Sequence, residues 1–512
     1  MVLVVHSTVH GSNVRVIDTS TLTPTSRLDR FDDDAVYNLL DCCVTLEVFD
    51  ALHAQLTNTT AATYAFSMSL AAPILEMNLT GVRIDRAEVE KSLAGFSEEL
   101  DLIRGNLDLI LKEGVGYASP WFGKGGMPSR IALQEILYNI LRLPPVRHKN
   151  ANGQYVPTVD RNALEKLRGY TIAEPIINHI LAIRDIGKKM GFLRTAIDPD
   201  GRFRTQFNIA GTTTGRLASA FSTFGTGGNA QNIERKLRRV FIPDKGMKFC
   251  NVDLEQADAR NVGAILYNLF GDRSYLDFCE SGDLHTNVCK FVWPELEWTN
   301  NPKEDRLLAD VEFYRGMSRR DVSKRVSHAS NYLGTPPTIS LATKIPMKLV
   351  SDFQGPYFER FPMRKWHDHV RYQLKHEHSI TTLLGRKRNF FGRPDDESVI
   401  REAVAYEPQS LTADEIDNLL LAFWRTNRVQ CLLQVHDSIL FQYFVADEPS
   451  LIPAIVSQPY TFPVRDIQFS VPMEAKVGWN WADVEYDKTG AVTGNPYGLQ
   501  KYKNGDLRQL DR

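Results

Sequence analysis

The chain has 512 residues, of which 43% are hydrophobic and 24% are charged, as in an ordinary folded protein with several subdomains. Its 60 basic and 62 acidic residues give a formal net charge of -2, so a nucleic-acid binder of this composition must concentrate positive charge in a cleft. The six cysteines show no zinc spacing, and no apolar run approaches the length of a membrane span.

The first 60 residues open with a short β-like piece, and a helical pattern follows it. Apolar residues recur at helical spacing from Arg30 to Phe49, and the segment has an acidic start, which is typical of a helix N-terminus. Tyr37 and Asp41 are four positions apart, so they share one face of this predicted helix. The residues from Tyr64 to about Arg194 are predicted to be mostly helical, with a short strand at Gly81–Asp85.

Two polar segments come next, Gly211–Ser219 around Arg216 and Asn229–Ile233 with Gln231 and Asn232. Small hydroxyl residues around an arginine, followed by exposed amides, offer hydrogen bonds to phosphates and to minor-groove acceptors without strong sequence selectivity. An ordinary surface loop has a similar composition. The residues alone therefore leave both interpretations open.

The stretch from Lys248 to Arg260 is predicted to be a strand that turns into a helix. A short apolar run ends at Asp253, and an amphipathic pattern that includes Gln256 and Asp258 follows it. An acid at the end of a buried strand is costly unless its charge is compensated. Asp253 is therefore a candidate functional residue, although a single aspartate also commonly caps a turn.

A basic helix is predicted from Arg319 to Gly334. Arg320, Lys324, His328 and Tyr332 recur every fourth residue and form one slowly slanting stripe. Cations followed by flat rings suit a nucleoside triphosphate, because phosphates bind cations and a base packs on a ring. The alternative is a solvated basic helix face.

The run from Val429 to Tyr443 is apolar on both sides of His436 and Asp437, as expected of a β-hairpin with a polar pair at its turn. Asp437 and Asp253, if brought together, repel each other, and divalent metal ions are the usual remedy. Two Mg²⁺ ions held about 3.5 to 4 Å apart by oxygen ligands activate an attacking oxygen and stabilise a leaving one in phosphoryl transfer.

Asp253-Leu-Glu-Gln-Ala-Asp-Ala-Arg260 and His436-Asp437-Ser438 together resemble motifs A and C of the family A DNA polymerases, the group of bacterial DNA polymerase I and many phage replicative polymerases. In that family motif A reads Asp, any, Ser, Gln, any, Glu, any, Arg, and motif C reads His, Asp, Glu, so three familiar positions are altered. The resemblance implies that Asp253 and Asp437 are catalytic and bind two Mg²⁺ ions, with Mn²⁺ as an alternative.

The basic helix resembles motif B of the same family, with two departures. His328 replaces a phenylalanine or tyrosine, and Leu333 stands where glycine is usual, with Gly334 one place late. Gly282–Thr286 resembles the family's Asp-Ile-His-Thr. The resemblance implies catalytic roles on the triphosphate for Arg320 and Lys324, and substrate-binding roles for His285, His328, Tyr332, Asp258 and Gln256.

The polar segments before Lys248 resemble the family's Thr-Gly-Arg-Leu-Ser-Ser and Asn-x-Gln-Asn signatures, and Pro408-Gln409 resembles part of a later one. These matches imply contacts with primer-template DNA. The implied DNA-binding residues are Arg216, Gln231, Asn232, Gln409 and His436.

Tyr37 and Asp41 resemble the last motif of the 3′→5′ proofreading exonuclease that precedes many family A polymerases. The residues before Tyr37 contain no Asp-x-Glu pair, which the earlier exonuclease motifs require. We expect an exonuclease remnant that packs against the polymerase and does not proofread by itself. The alternative is a separate chain that supplies the missing half.

The resemblance implies an α/β (α+β) fold, shaped like a hand, with an antiparallel palm sheet and helical fingers and thumb. The expected segments are an exonuclease remnant (1–60), thumb with the start of the palm (61–194), palm with motif A (195–260), fingers with motif B (261–400), palm with motif C (401–484) and a flexible tail (485–512).

The implied activity is DNA-templated DNA synthesis, with primer-template DNA and deoxynucleoside triphosphates as partners. A separate exonuclease chain and a processivity factor are further candidate partners, and no membrane is expected. The altered motifs suggest a phage replicative enzyme, so we expect a cytoplasmic protein, in the host cytoplasm if viral. A single-subunit RNA polymerase is disfavoured because Asp258 beneath the sugar would exclude a 2′-OH. A catalytically silent DNA-binding homologue is disfavoured because both metal acids, Arg320 and Lys324 are retained.

Overall fold

The computed structural model describes residues 4–9, 12–17, 33–123, 126–487 and 490–502, with the backbone alone for the first two stretches. The described chain combines helices with antiparallel sheets. Its α-helices, in chain order, are α1 (Asp33–His53), α2 (Asn58–Ser69), α3 (Ala71–Thr80), α4 (Arg86–Leu109), α5 (Arg130–Gln134), α6 (Arg161–Leu167), α7 (Glu174–Leu193), α8 (Ala257–Phe270), α9 (Ser274–Glu280), α10 (Leu284–Val292), α11 (Pro302–Ala309), α12 (Arg319–Asn331), α13 (Pro336–Thr343), α14 (Met347–Arg360), α15 (Met363–Glu377), α16 (Glu397–Arg425) and α17 (Glu448–Val456).

The strands, in chain order, are β1 (Val4–Val9), β2 (Ser12–Ile17), β3 (Val82–Ile84), β4 (Arg147–Lys149), β5 (Tyr155–Pro157), β6 (Arg202–Phe203), β7 (Thr205–Asn208), β8 (Ala218–Phe221), β9 (Phe241–Ile242), β10 (Met247–Leu254), β11 (Glu312–Tyr314), β12 (Met317–Ser318), β13 (Ser379–Thr381), β14 (Lys387–Asn389), β15 (Gln430–Val435), β16 (Ser438–Phe444), β17 (Tyr460–Val464), β18 (Ile467–Val471), β19 (Met473–Gly478), β20 (Glu485–Tyr486), β21 (Val492–Gly494) and β22 (Gln500–Lys501).

Internal contacts divide the chain into two compact units. The first unit comprises Met1–Leu70 and Ile265–Leu411, and the second unit comprises Ala71–Ala264 and Thr412–Arg512. Of the three divisions along the chain, one falls between α2 and α3, one within α8 and one within α16, so α8 and α16 each contribute residues to both units.

The largest sheet of the second unit has five antiparallel strands in the order β15-β16-β10-β19-β22. β10 is its middle strand, and Phe249, Cys250 and Val252 are fully buried in it. Because β10 has neighbours on both sides, its register fixes which residues face Asp253: Ser438 on β16 and Glu474 on β19.

The helical segment of the second unit has an apolar core of its own. α4 begins after Asp85, whose carboxylate accepts a hydrogen bond from the amide of Glu88 at 3.2 Å. α7 packs against α4 and buries a stripe of isoleucines at helical spacing, including Ile176, Ile180 and Ile183.

In the first unit, α12 begins with a capping box: the Ser318 hydroxyl accepts from the amide of Asp321, and the Asp321 carboxylate accepts from the amide of Ser318, both at 3.0 Å. At the other end of α12, the side chain of Asn331 donates to the hydroxyl of Tyr275 at 3.1 Å and accepts from that of Tyr357 at 2.7 Å. Both ends of this helix are therefore fixed by buried or half-buried polar contacts.

The mixed fold with antiparallel sheets agrees with the sequence prediction, as do the strand that leads into α8 and the hairpin of β15 and β16. The flexibility of the tail stays a prediction, although the structure places three short strands in its described part. β20 pairs with β21, and β22 pairs with β19, where Lys501 Nζ lies 2.5 Å from a carboxylate oxygen of Glu474. A strand at the edge of a sheet presents backbone N–H and C=O groups that can pair with another strand. This explains why β22 adds to β19 although its segment has few core-forming residues. Residues 503–512 lie outside the described residues.

None of the described helices is long and apolar enough to span a membrane.

Candidate active site

Asp253 and Asp437 lie at the same edge of the five-stranded sheet. Asp253 is the penultimate residue of β10, and Asp437 lies in the turn between β15 and β16. The amide of Leu254 donates a hydrogen bond to the carbonyl oxygen of Asp437 at 3.2 Å. The fold therefore brings together two acids that are 184 positions apart in the sequence.

The turn that carries Asp437 is tight. Val435 pairs with Ser438, so only His436 and Asp437 connect the two strands. His436 has φ of 58°, a left-handed conformation that is unfavourable for a residue with a Cβ atom, and its side chain is exposed. Non-glycine residues in this conformation are often found at functional sites.

The two acids are electrostatically unfavourable as they stand. Burial raises the pKa of Asp253 to about 7, and the negative charge of Asp437 adds to this, while Lys476 opposes it. Burial also raises the pKa of Asp437, while a backbone hydrogen bond and, to a smaller extent, the neighbouring His436 and Arg216 oppose this. The site is therefore suited to an added cation, which would stabilise both ionised carboxylates.

Magnesium fits this pair better than a metal that needs a cage of protein ligands. Across the described residues, no group of three or more His, Cys, Asp or Glu side chains is arranged to hold a metal ion. Mg²⁺ commonly binds through one or two carboxylates and takes its other ligands from water and substrate phosphates. Asp253 and Asp437 would supply those two carboxylates.

Gln256 and Asp258 lie at the junction of β10 and α8. Gln256 has φ of 56°, and its carbonyl oxygen accepts a hydrogen bond from the amide of Arg260 at 2.9 Å, which starts the helix. Asp258 is half-buried in the first turn of α8, and its charge raises the pKa of Asp437 as the smallest of several causes, after burial. The structure thus brings Asp258 close enough to the acid pair for electrostatic interaction.

A cleft of about 320 Å³ in the second unit contains four of the five residues predicted to bind DNA. Gln231 Nε2 donates to the carbonyl of Leu217 at 2.9 Å and to Oε1 of Gln434 at 3.3 Å. Gln434 in turn donates to the carbonyl of His436 at 2.8 Å. The lining residues are Thr212, Arg216, Leu217, Ala218, Ser219, Asn229, Gln231, Asn232, Gln434 and His436.

In the first unit, Arg320 is held by an acid that the sequence analysis did not single out. Nε and Nη2 of Arg320 donate to the two carboxylate oxygens of Asp283, both at 2.8 Å. Asp283 also caps α10 by accepting from the amide of Thr286 at 2.9 Å. Burial alone would raise the pKa of Asp283, but the hydrogen bonds from Arg320 and Thr286 hold it well below its ordinary value.

The other predicted nucleotide-binding residues of the first unit differ in exposure. Burial lowers the pKa of His285 to about 4, so its imidazole is neutral at pH 7. Lys324 and His328 are exposed on successive turns of α12. The His328 ring lies edge-on against that of Tyr332, with centroids 5.0 Å apart, and Tyr332 caps the end of the helix. The stripe therefore consists of a paired arginine, an exposed lysine and two rings in contact.

Gln409 and the pair Tyr37 and Asp41 also lie on helices. Gln409 is half-buried in α16. Tyr37 and Asp41 are exposed on one face of α1, as their spacing predicted, and residues 30–32 of the predicted helix lie outside the described residues.

Sequence reasoning missed three residues of these sites. Asp283 carried a usable signal, since an aspartate directly before an apolar helical pattern is a common helix cap. Gln434 is a fully buried amide in an apolar strand, which indicates a specific hydrogen-bond partner. Glu474 faces Asp253 across the sheet, and only the strand register could identify it.

Three comparisons relate this chain to known proteins. The sequence profile of DNA polymerase family A matches residues 124–483. Relatives include DNA polymerase I of Treponema pallidum, 27% identical over 377 residues, which cover 69% of this chain and 34% of that protein. DNA polymerase I of Geobacillus stearothermophilus is 25% identical over 450 residues (82% and 45%), and that of Mycobacterium tuberculosis is 26% identical over 486 residues (89% and 48%).

The chain thus spans between about a third and a half of the length of these relatives. Among solved structures, the POL domain of Pol1 from M. smegmatis, described as a complex with DNA primer-template and dNTP, is similar with a TM-score of 0.67 at 22% identity. The similarity covers 86% of this chain and 74% of that one, and it shows a shared fold.

Proposed function

The chain belongs to DNA polymerase family A, and we propose that it is a DNA-templated DNA polymerase that adds deoxynucleotides to a primer 3′-OH. The observation that carries the proposal is the pairing of Asp253 and Asp437 at one sheet edge, where both pKa values are raised. Two carboxylates that favour an added cation are what phosphoryl transfer with two Mg²⁺ ions requires.

Asp253 and Asp437 would hold the two ions. When bound, such ions lower the pKa of the primer hydroxyl, neutralise the triphosphate and stabilise the pyrophosphate leaving group. His436, exposed beside Asp437 in the same turn, would support the primer terminus. The cleft lined by Arg216, Gln231 and Asn232 would bind primer-template DNA through the Arg216 guanidinium and the Asn232 amide, while Gln231 Nε2 donates within the chain and shapes the cleft.

The stripe of α12 would bind the incoming nucleotide. Asp283 accepts from Nε and from Nη2 of Arg320, so both N–H groups of Nη1 and the second N–H of Nη2 are the donors left to contact phosphate, with the guanidinium plane held by the ion pair. Lys324 is exposed and would bind phosphate and donate a proton to pyrophosphate. Tyr332 and His328 offer two adjoining rings for the base.

Asp258 would select the sugar. Its carboxylate is one methylene shorter than the glutamate usual in motif A, so it should exclude a 2′-OH less firmly. We therefore expect a preference for deoxynucleotides that Asp258→Glu sharpens. A role in viral replication and loss of an exonuclease domain stay predictions.

The test is primer extension by the purified chain with Mg²⁺, on templates that differ in one position. We expect addition of the complementary deoxynucleotide alone, and loss of addition with a chelator. Efficient extension with ribonucleotides would favour an RNA polymerase. Duplex binding without extension would favour a catalytically silent homologue.

A further inference from the structure

A buried polar contact joins α8 to α16 in the second unit. Nδ2 of Asn261 donates to Oγ1 of Thr412 and to Oε2 of Glu415, both at 3.1 Å. Asn261 and Glu415 are 0% exposed and Thr412 is 3% exposed. Because both amide hydrogens of Asn261 are directed to α16, this contact is specific in both distance and orientation.

Glu415 is an unusual residue for this place. Within the described chain it forms no ion pair, and a buried glutamate without a cation is costly when ionised. Burial raises the pKa of Glu415 to about 8, the hydrogen bond from Asn261 opposes this, and the carboxylates of Asp414 and Asp258 add to it. The side chain is therefore mostly a neutral acid at pH 7, which permits its burial.

The contact lies one helical turn from Asp258. Asp258 and Asn261 are three positions apart on α8, which places them about 60° apart around the helix axis and about 4.5 Å apart along it. The N-terminus of α8 is fixed separately to the sheet, since the amide of Glu255 donates to the carbonyl of Pro472 at 2.9 Å. Two attachments, one to the sheet and one to α16, therefore set the rotation of the first turn of α8.

We propose that Glu415 and Asn261 are positioning residues for sugar selection: through their buried hydrogen bond they set where the first turn of α8 holds the carboxylate of Asp258. The inference rests on the proposed function, which assigns Asp258 to the sugar of the incoming nucleotide. Neither Glu415 nor Asn261 contacts the substrate in this proposal. After burial, the charge of Asp258 is one of the smaller causes that raise the pKa of Glu415, so the two carboxyl groups lie within range of electrostatic interaction.

The test compares Glu415→Leu with Glu415→Gln. The quantity measured is kcat/KM for a deoxynucleotide divided by kcat/KM for the matching ribonucleotide. This ratio does not depend on the fraction of folded enzyme, so a loss of stability alone leaves it unchanged. Glutamine keeps an oxygen that accepts from Asn261 and resembles the neutral acid, whereas leucine leaves a buried donor unpaired.

We expect Glu415→Gln to keep the wild-type ratio and Glu415→Leu to lower it by about three- to tenfold, since misplacing a group by about 1 Å can cost about a hundredfold. The double variant Asn261→Leu with Glu415→Leu should regain stability but not the ratio. A wild-type ratio in either leucine variant overturns the proposal.

A second variant applies if Glu415→Leu does not fold. Thr412→Val removes one acceptor of the Asn261 amide at similar volume and should lower the ratio. An unchanged ratio in Thr412→Val overturns the proposal.

Two controls separate this inference from the proposed function. Glu407→Leu removes another buried glutamate about two turns earlier in α16, whose pKa burial also raises to about 8; it should leave the ratio unchanged. Asp258→Ala is the reference for complete loss of sugar selection. If Asp258→Ala leaves the ratio unchanged, the assignment of Asp258 fails. If Asp258→Ala lowers the ratio and Glu415→Leu does not, only the positioning role fails.

Discussion

Two half-buried aspartates, one in each unit, have pKa values that are shifted in opposite directions. Asp253 faces another acid, Asp437, and its pKa is raised to about 7 by burial and by that acid. Asp283 is also penalised by burial, but Arg320 binds both of its oxygens at 2.8 Å and its pKa is lowered. Among the described residues, Arg320 is hydrogen-bonded to Asp283, whereas Lys476 only partly offsets the raised pKa of Asp253.

This difference distinguishes an acid that is suited to bind a metal ion from an acid that orients a neighbouring side chain. An acid that the chain itself neutralises holds a neighbouring side chain in place, and it has little left to offer an external cation. Two ionised carboxylates held side by side destabilise the folded protein. A cation that binds between them removes this repulsion, so its binding is favourable. We therefore propose metal binding for Asp253 and Asp437, and orientation of Arg320 for Asp283.

The largest predicted effect comes from removing one charge of the acid pair. Asp253→Asn or Asp437→Asn should lower the primer-extension rate by about a thousandfold or more, because bound metal ions contribute several kcal/mol to phosphoryl transfer. Binding to duplex DNA should change little, since it depends on dispersed phosphate contacts. The measurements are single-turnover extension and fluorescence anisotropy with labelled duplex.

The chain offers a matched control for Asp437→Asn in Asp466→Asn. Asp466 lies second in a two-residue turn between β17 and β18, after Arg465, whose φ of 52° resembles that of His436. Asp466 is exposed. If the two variants lost the same fraction of the primer-extension rate, the loss would come from a changed turn and not from a lost metal ligand. The assignment of metal binding to Asp437 would then be wrong.

The next largest effect comes from changing the acid that orients Arg320. Asp283→Asn keeps an oxygen that can cap α10 but removes the charge that holds Arg320. We expect kcat/KM for nucleotides to fall by at least about tenfold, because breaking a half-buried charge pair costs about 2 kcal/mol or more. Isothermal or kinetic titration of nucleotide would show this loss. Activity equal to wild type would mean that Arg320 needs no support from Asp283.

Much of the acid pair could be predicted from the sequence. The apolar run that ends at Asp253 and the apolar runs around Asp437 specify strands with acids at their ends, and the structure has both strands. Local patterns determine such elements because β-strands and turns depend on nearby residues. The sequence could not place the two strands beside each other without the family resemblance.

The parts that were missed depend on contacts between distant residues. The pairing of Asp283 with Arg320 joins positions 37 apart, and the contact of Asn261 with Glu415 joins positions 154 apart. The segment after residue 484 has few core-forming residues, yet it supplies strands because the edge of β19 was available. Local sequence patterns do not specify contacts between distant residues, and in the tail the tertiary context overrides a weak local preference.

A third prediction tests the buried acid that underlies the positioning proposal. The pKa of Glu415 is raised from 4.5 to about 8, so the stability that it contributes is complete below about pH 4.5 and is lost as pH rises to about 8. Relative to Glu415→Gln, which does not titrate, the free energy of unfolding of the wild type should fall by about 1.4 kcal/mol for each pH unit in that window.

Denaturant unfolding of both proteins between pH 5 and 8 would measure this difference. Asp283 is expected to behave in the opposite way. Because its pKa is lowered, its contribution to the free energy of unfolding is complete above about pH 4 and declines as the pH falls further. A constant difference between wild type and Glu415→Gln across this range would mean that Glu415 is ionised in the folded protein.

The smallest effect lies at the far end of α12, the helix that begins beside Asp283's partner, Arg320. Leu333 has φ of 62°, a conformation that costs a residue with a Cβ atom about 1 kcal/mol or more, while glycine there loses about 0.5 to 1 kcal/mol in chain entropy. Leu333→Gly should therefore raise the free energy of unfolding by less than about 1 kcal/mol.

Gly334→Ala is the control for this prediction. A Cβ atom at position 334 would lie 2.6 Å from the carbonyl oxygen of Ala329 and 2.9 Å from Cγ1 of Ile339, so this variant should be less stable than the wild type. Thermal unfolding of the two variants would measure both changes. A lower melting temperature for Leu333→Gly would mean that packing of the leucine side chain outweighs the cost of its backbone conformation.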